Sequence, residues 1–201
     1  MKKYILFLSV SWLLFSMPVL ALDFDFSGNL IYHNDVLYFN FATPDEGNVT
    51  LFSSSWDDGG FDPMLGLWTS SGDLVYFQDD GGIEGSTLSN GVSYTHGDWD
   101  SYYTVALSPG DYTVTLTTYS NFNNSDMLSG GFEFDGEDPI SLDTWDQPAN
   151  GNRDSSYVFH ILNVPSASQE QDVNVVPEPG TILLMGVGFG CLALLKRKKL
   201  A

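Results

Sequence analysis

The sequence predicts an all-β domain, an antiparallel β-sandwich or jelly roll of about eight or nine strands flanked by targeting segments. Apolar and polar residues alternate with period two in many short segments of the body, as expected for strands with one buried face. Clusters of Gly, Pro, Asp and Ser separate these segments. Outside the two termini, no stretch of about eleven residues shows the apolar period of an α-helix.

Seven segments of the body carry this strand pattern in chain order. They are 36–41, 48–52, 65–68, 74–77, 102–107, 112–119 and 157–162, with 131–134 as a weaker eighth. Two hairpins are predicted, one around the turn at 70–73 and one around Ser108-Pro109-Gly110-Asp111. Most aromatic residues of such a domain fill its core, and those predicted to do so are Phe39, Phe41, Trp68, Phe77 and Tyr103. The chain therefore has room for one sandwich, placed at 22–164.

The charge of the chain is divided sharply between its body and its ends. Residues 22–176 contain 25 acidic residues and one basic residue, Arg153, whereas the whole chain has a net charge of −19. Such a surface repels nucleic-acid phosphates and anionic lipid, so neither is expected as a ligand. The single cysteine, Cys191, excludes an intrachain disulfide and any metal site built from several cysteines.

The first 21 residues have the organisation of a secretory signal peptide. Lys2 and Lys3 precede an apolar stretch from position 4 to 15, and Val19 and Ala21 place small residues at positions −3 and −1 of a cleavage site. Signal peptidase is the expected partner, with cleavage after Ala21. An uncleaved membrane anchor is the alternative.

The last 26 residues, 176–201, combine a proline-rich motif, an apolar segment and a basic cluster. The apolar segment 181–195 would form a helix of about 22 Å, shorter than a hydrocarbon core of about 30 Å. The four cations at 196–199 are expected to stay in the cytoplasm. The segment is thus predicted to be a short anchor in the inner membrane that holds the acidic domain on the far side. Residues 165–175, polar and free of aromatics, are predicted to be a linker.

This tail resembles the PEP-CTERM sorting signal of Gram-negative bacteria that make exopolysaccharide. The resemblance rests on Pro177, Glu178, Pro179 and Gly180, followed by the apolar segment and the basic cluster. It implies that exosortase, a membrane cysteine transpeptidase, recognises and cuts the tail. The protein would then move from the inner membrane to the outer envelope or the extracellular matrix. An ordinary C-terminal anchor with a proline-rich linker is the alternative interpretation.

The body is similar to the bacterial pre-peptidase C-terminal β-sandwich modules, and more closely to a group of PEP-CTERM proteins built on that plan. The similarity follows an ordered set of pieces: Gly60-Phe61-Asp62-Pro63, Leu65-Gly66-Leu67-Trp68, Gln78-Asp79-Asp80-Gly81-Gly82 and Ser108-Pro109-Gly110-Asp111-Tyr112. In secreted proteases such modules are accessory and not catalytic. The resemblance therefore implies a non-enzymatic domain, although no protease domain accompanies it in this chain.

Two acidic, glycine-containing loops are candidates for a calcium site. Ca²⁺ takes about six to eight oxygen ligands, which carboxylates and backbone carbonyls supply, and some pre-peptidase modules bind calcium through such loops. The predicted ligands are Asp57, Asp58, Asp62, Asp79, Asp80 and Glu84. The alternative is that Asp and Gly simply form turns on an acidic surface.

Three tryptophans in acidic, loop-like surroundings are candidates for contact with sugar rings: Trp56, Trp99 and Trp145. Together with the sorting signal, they favour a non-catalytic adhesion or matrix-organising protein that binds exopolysaccharide in a biofilm matrix and is supported by calcium. The carboxylates of Asp98 and Asp100 leave open a polysaccharide-active enzyme, and an accessory role for a secreted partner is a third possibility. The histidines His33, His96 and His160 lie far apart in sequence and form no motif.

Overall fold

The structure, a computed structural model, describes residues 20–148 and 153–170. Nearly all of the predicted signal peptide and the whole sorting tail lie outside the described residues. The strands in chain order are β1 (Leu22–Asn29), β2 (Leu37–Thr43), β3 (Gly47–Ser53), β4 (Pro63–Thr69), β5 (Leu74–Gln78), β6 (Gly85–Ser89), β7 (Val92–His96), β8 (Tyr102–Leu107), β9 (Gly110–Thr118), β10 (Ser156–Val164) and β11 (Ser166–Gln169). A short 3₁₀ turn covers Leu128–Gly130.

The strands form two antiparallel sheets and one separate hairpin. The first sheet has the order β1-β10-β3-β8, the second has the order β11-β2-β9-β4-β5, and β6 and β7 form a two-stranded sheet of their own within the described ranges. The predicted all-β, antiparallel, sandwich-like class is therefore confirmed. Within the described ranges no helix is long and apolar enough to cross a membrane.

The core lies between the inner faces of the two sheets. Phe39 of the second sheet packs on Phe159 and Phe26 of the first, with ring centroids 4.7 Å and 5.0 Å apart. The alternation of apolar residues places one face of each strand in this layer and the other face outside it. Of the predicted core aromatics, Phe39, Phe41, Trp68 and Tyr103 are buried, whereas Phe77 is only partly buried.

The second predicted hairpin is wrong, although both of its strands form. β8 pairs with β3 in the first sheet, and β9 pairs with β2 and β4 in the second. The turn after Leu107 therefore carries the chain from one sheet to the other. Both strands direct apolar side chains into the shared core, with Leu107 from the first sheet and Val114 from the second, so they lie in opposite layers rather than edge to edge. The first predicted hairpin, β4–β5, is confirmed.

Two further corrections concern segments with weak patterns. Segment 131–134 forms turns and a single bridge between Asn123 and Phe132 rather than a strand, because Phe132 is its only buried residue. The predicted linker begins with β11, which adds to the edge of β2 through the register Gln169↔Phe39 and Ser166↔Ala42. Residues 166–169 are thus part of the sheet.

The loops at one end of the sandwich carry most of the candidate site residues. We call this end, formed by residues 54–62, 79–84 and 97–101, the acidic end. It adjoins the start of β4, and Glu170 lies toward the same end because β11 finishes beside the start of β2. The opposite end contains a cavity of about 170 Å³ beside Pro44 and Pro165.

Candidate functional site

Asp100 is the residue that holds the acidic end together. It is 1% exposed, and its Oδ1 accepts hydrogen bonds from Ser53 Oγ at 2.8 Å and from the backbone N–H groups of Ser55 and Trp56 at 3.2 and 3.3 Å. Its Oδ2 accepts a bond from the N–H of Gly97 at 2.9 Å. One buried carboxylate thereby joins the loop after β3 to the loop before β8.

Ser101, next in the chain, ties the second acidic loop to the start of β4. Its hydroxyl oxygen lies 2.7 Å from the carbonyl oxygen of Pro63 and within bonding distance of the carbonyl oxygens of Gln78 and Asp79. The N–H of Gly81 also donates to the carbonyl of Asp100 at 2.7 Å. These contacts bring the loop after β5 against the first residue of β4 and so beside Asp62, which precedes it.

As a result, three carboxylates from two distant loops converge. Each of Asp62, Asp79 and Asp80 offers a carboxylate oxygen that lies within 4.8 Å of the other two. Asp62 is 3% exposed, and its Oδ1 has no hydrogen-bond partner among the residues that the structure describes. The Oδ1 of Asp79 is likewise buried without a partner. We call these three residues the Asp62 cluster.

Burial, together with repulsion from neighbouring carboxylates, raises the pKa of every member of the cluster. Burial, assisted by the charges of Asp80 and Asp79, raises the pKa of Asp62 to about 7. Burial and Asp80 raise the pKa of Asp79 to about 6. Burial, with Asp98 beside it, also raises the pKa of Asp80. A cation among the three would relieve both the desolvation and the repulsion.

The cluster fits a hard divalent cation by its donor chemistry. Two orphaned carboxylate oxygens and a third carboxylate supply anionic oxygen ligands, and Ca²⁺ completes its shell with carbonyl or water oxygens. The predicted ligands thus divide into two groups. Asp62, Asp79 and Asp80 are brought together, whereas Asp57, Asp58 and Glu84 are exposed and lie outside the cluster.

Two of the three candidate tryptophans stack on each other at the acidic end. The ring centroids of Trp56 and Trp99 are 5.6 Å apart with an angle of 29° between the planes. Trp56 is 8% exposed and Trp99 is 39% exposed, so Trp99 presents the outer face of the pair. The guanidinium of Arg153 lies 3.3 Å from the centroid of the Trp56 ring. Trp56 is therefore held between a cation and a second aromatic ring.

Trp145 belongs to a different group of side chains. It packs against His33 and Phe134, with ring centroids at 5.1 and 5.7 Å, and it is only partly buried. His33 itself is buried and contacts Glu137 Oε2 at 3.1 Å. Trp145 thus helps to close the long connection between β9 and β10 over the core, apart from the stacked pair.

Sequence reasoning missed Arg153 as a site residue. Its guanidinium donates hydrogen bonds to the carbonyl oxygens of Gly60 and Trp56. Burial lowers the pKa of Arg153, and four nearby carboxylates partly offset that lowering. Its isolation as the only cation among 25 acids was a signal in the sequence. Ser101 and its carbonyl contacts had no such signal.

The tail of the chain matches a known family model. Residues 175–198 match the PEP-CTERM protein-sorting motif. The prediction made from Pro177, Glu178 and Pro179 is therefore confirmed, and the chain carries the signal of an exported protein that exosortase sorts to the cell envelope.

The described domain has a neighbour among solved structures. The chain is similar to the pre-peptidase C-terminal domain of a collagenase from Bacillus anthracis, with 11% sequence identity, 73% of this chain and 90% of that chain covered, and a TM-score of 0.36. No curated protein matches the chain in sequence.

Proposed function

We propose that this protein is a surface module whose acidic end serves in binding rather than catalysis, holding calcium and, through the Trp56–Trp99 pair, matrix polysaccharide. The observation that carries the proposal is the convergence of the Asp62 cluster, with its unpartnered buried oxygens. The sorting signal supports it, because an exported envelope protein meets millimolar calcium and extracellular polymers rather than cytosolic substrates.

In this proposal calcium stabilises the acidic end by joining its loops. The three carboxylates are held together by the fold, through Ser101 and the backbone bonds around Asp100, and not by any attraction between themselves. A bound cation would turn a mutually repelling group into a stabilising cross-link between the loops after β3 and β5. The acidic end would then be rigid where the ligand docks.

The polysaccharide is proposed to lie on Trp99. A sugar ring stacks its C–H face on an aromatic plane, and Trp99 is exposed while its partner Trp56 is fixed by Arg153. Since the surrounding surface is acidic, an anionic polymer would approach only when divalent cations screen or bridge the charges. The binding is therefore expected to require calcium.

Calcium binding is tested by calorimetric titration of the purified full-length chain after removal of divalent ions. We expect one saturable site and a rise in the melting temperature of several degrees, with EDTA reversing both. Asp62→Asn removes a buried ligand and should abolish the site. Asp111 is an exposed carboxylate at the opposite end, so Asp111→Asn should leave calcium binding unchanged.

A melting temperature that is the same in calcium and in EDTA, with no heat of binding, would refute the calcium site. Equal loss of binding in both variants would mean that the calcium is held by diffuse charge rather than by the cluster.

Polysaccharide binding is tested separately, with a polyuronate as the anionic probe and dextran as the neutral one. Trp99→Ala should weaken binding of the polyuronate about ten-fold, equivalent to about 1.4 kcal/mol. Tyr32→Ala, which removes another exposed aromatic residue, should not change it. Binding that persists in EDTA or in Trp99→Ala would exclude this surface.

A further inference from the structure

Ser54, His160 and Asp25 form a hydrogen-bonded row across the outer face of the first sheet. Ser54 Oγ lies 2.7 Å from His160 Nε2, and His160 Nδ1 lies 2.7 Å from Asp25 Oδ1. His160 lies in the middle of β10 and Asp25 in the middle of β1, and Ser54 directly follows β3; these three strands are adjacent in the order β1-β10-β3. Their wide separation in the sequence explains why no motif indicated them.

These two contacts determine which nitrogen of the His160 ring carries the proton. Since the Asp25 carboxylate can only accept a hydrogen bond, His160 donates its Nδ1–H to Asp25, and the lone pair on Nε2 faces the Ser54 hydroxyl. We propose that Ser54 is an activated nucleophile toward carboxylic esters, with His160 as its general base and Asp25 as the positioning residue.

The surroundings of His160 hold it in this orientation. Its ring stacks on Phe52 at 4.4 Å, and Tyr94 of the β6–β7 hairpin packs edge-on against it at 5.0 Å. His160 is 6% exposed, and burial lowers its pKa in spite of Asp25 and Asp100 nearby, so the base is neutral at pH 7. Ser54 is partly exposed and can be reached from solvent.

The proposed step balances without a cofactor. Ser54 Oγ bonds to the ester carbonyl carbon while its proton moves to His160 Nε2, and the leaving alkoxide takes that proton as its C–O bond breaks. Water then gives a proton to His160 and its oxygen to the acyl group. The carboxylic acid departs as the proton returns to Ser54. The net reaction is ester plus water to acid plus alcohol.

The backbone around Ser54 limits which esters react. The N–H of Ser54 donates to the carbonyl of Val158, and the N–H of Ser55 donates to Asp100. Neither is free to stabilise an oxyanion, and loss of a single such donor costs about 10²- to 10³-fold in rate. The expected substrates are therefore activated esters with good leaving groups, such as aryl esters, turned over slowly.

The test uses the full-length chain with a fluorophosphonate probe and with p-nitrophenyl acetate. We expect covalent labelling of Ser54, located by peptide mass spectrometry, and slow release of nitrophenol. Ser54→Ala should abolish both. Asp25→Asn should slow both at least ten-fold, because it favours the wrong tautomer of His160, while the melting temperature changes little, since Asp25 is exposed.

Ser27→Ala is the matched control, because Ser27 is an exposed serine of β1 with the same side-chain direction as Asp25. It should label and hydrolyse like the parent chain. Labelling of Ser54 no faster than in the heat-unfolded protein, or equal rates in the parent and Asp25→Asn, would overturn the proposal. EDTA should have no effect, so failure here is distinguishable from failure of the calcium site.

Discussion

At the scale of single residues, two buried aspartates show how surroundings decide the role of a carboxylate. Asp100 receives four hydrogen bonds and has nothing left to offer a ligand. Asp62 is buried to a similar degree but keeps an oxygen without a partner beside two further carboxylates. Asp100 therefore has a structural role, whereas Asp62 has a buried carboxylate oxygen that can bind a cation.

The Asp62 cluster makes the metal-free protein sensitive to pH. An acid whose pKa is higher in the folded than in the unfolded state binds more protons when folded, so stability falls as pH rises between the two values. With Asp62 at a pKa of about 7 and Asp79 at about 6, the melting temperature should fall from about pH 4 to pH 7.

Melting curves in EDTA across this range test the expectation. Asp62→Asn should flatten the dependence, and saturating calcium should reduce or reverse it, because the cation favours the ionised form. A melting temperature in EDTA that rises steadily from pH 4 to 7 would contradict the pKa directions.

Asp100→Ala should be one of the most damaging single changes at the acidic end. It leaves the Ser53 hydroxyl and three backbone N–H groups without their acceptor, and such buried donors cost about 1–3 kcal/mol each when unsatisfied. Denaturant unfolding should report a loss of at least about 3 kcal/mol. Asp98→Ala, an exposed neighbour, should change stability by less than about 0.5 kcal/mol.

The candidate site was only partly readable from the sequence. Carboxylates beside glycines at strand ends indicated which loops to consider, and three of the six predicted ligands converge. What selects Asp62, Asp79 and Asp80 is the contact of Ser101 with the carbonyl of Pro63, which joins loops far apart in the chain. No local pattern encodes such a contact, and the same holds for Ser54 and His160.

At the scale of elements, the alternation of residues predicted the faces of strands but not their partners. β8 and β9 are joined by a turn sequence typical of a hairpin, yet each pairs within a different sheet. Period two specifies which side chains enter the core, and it is equally satisfied by neighbours in one sheet and by strands that face each other. Four strands were not predicted. β6, β7 and β11 are short and mostly polar, whereas β1 alternates aspartate and phenylalanine and was missed in spite of its pattern.

The contact between β4 and β9 depends on a glycine. A Cβ at Gly66 would lie 2.7 Å from Thr115 Oγ1 and 2.9 Å from Trp68 Nε1, two atoms that bond to each other at 3.0 Å. Gly66→Ala should therefore lower the free energy of unfolding by about 1–3 kcal/mol. Chemical denaturation monitored by tryptophan fluorescence measures it.

Gly47→Ala is the control for this change. Gly47 lies in β3 with nothing within 4 Å of its Cβ position, so the same substitution should be neutral or slightly stabilising. Equal losses in the two variants would show that backbone freedom, and not the close approach at Gly66, sets the effect.

At the scale of the whole molecule, the excess of acidic residues determines how stability depends on salt. With 25 acids and one base in residues 22–176, self-repulsion opposes the compact state. In the absence of divalent ions, raising NaCl from about 0.02 M to about 0.3 M shortens the screening length to less than about 10 Å. The melting temperature should rise, and rise less when calcium is present. Differential scanning calorimetry in EDTA checks this, and a melting temperature that falls with salt would contradict it.

The pairing of β11 with β2 also limits the distance between the domain and the sorting motif. The backbone N–H of Glu170 donates to the carbonyl oxygen of Tyr38 at 2.8 Å, and Pro177 follows seven residues later. Seven residues reach at most about 25 Å even when fully stretched. An enzyme that binds the sorting motif would therefore come within about 25 Å of Glu170, which lies toward the acidic end, whereas the cavity beside Pro44 is at the opposite end of the domain.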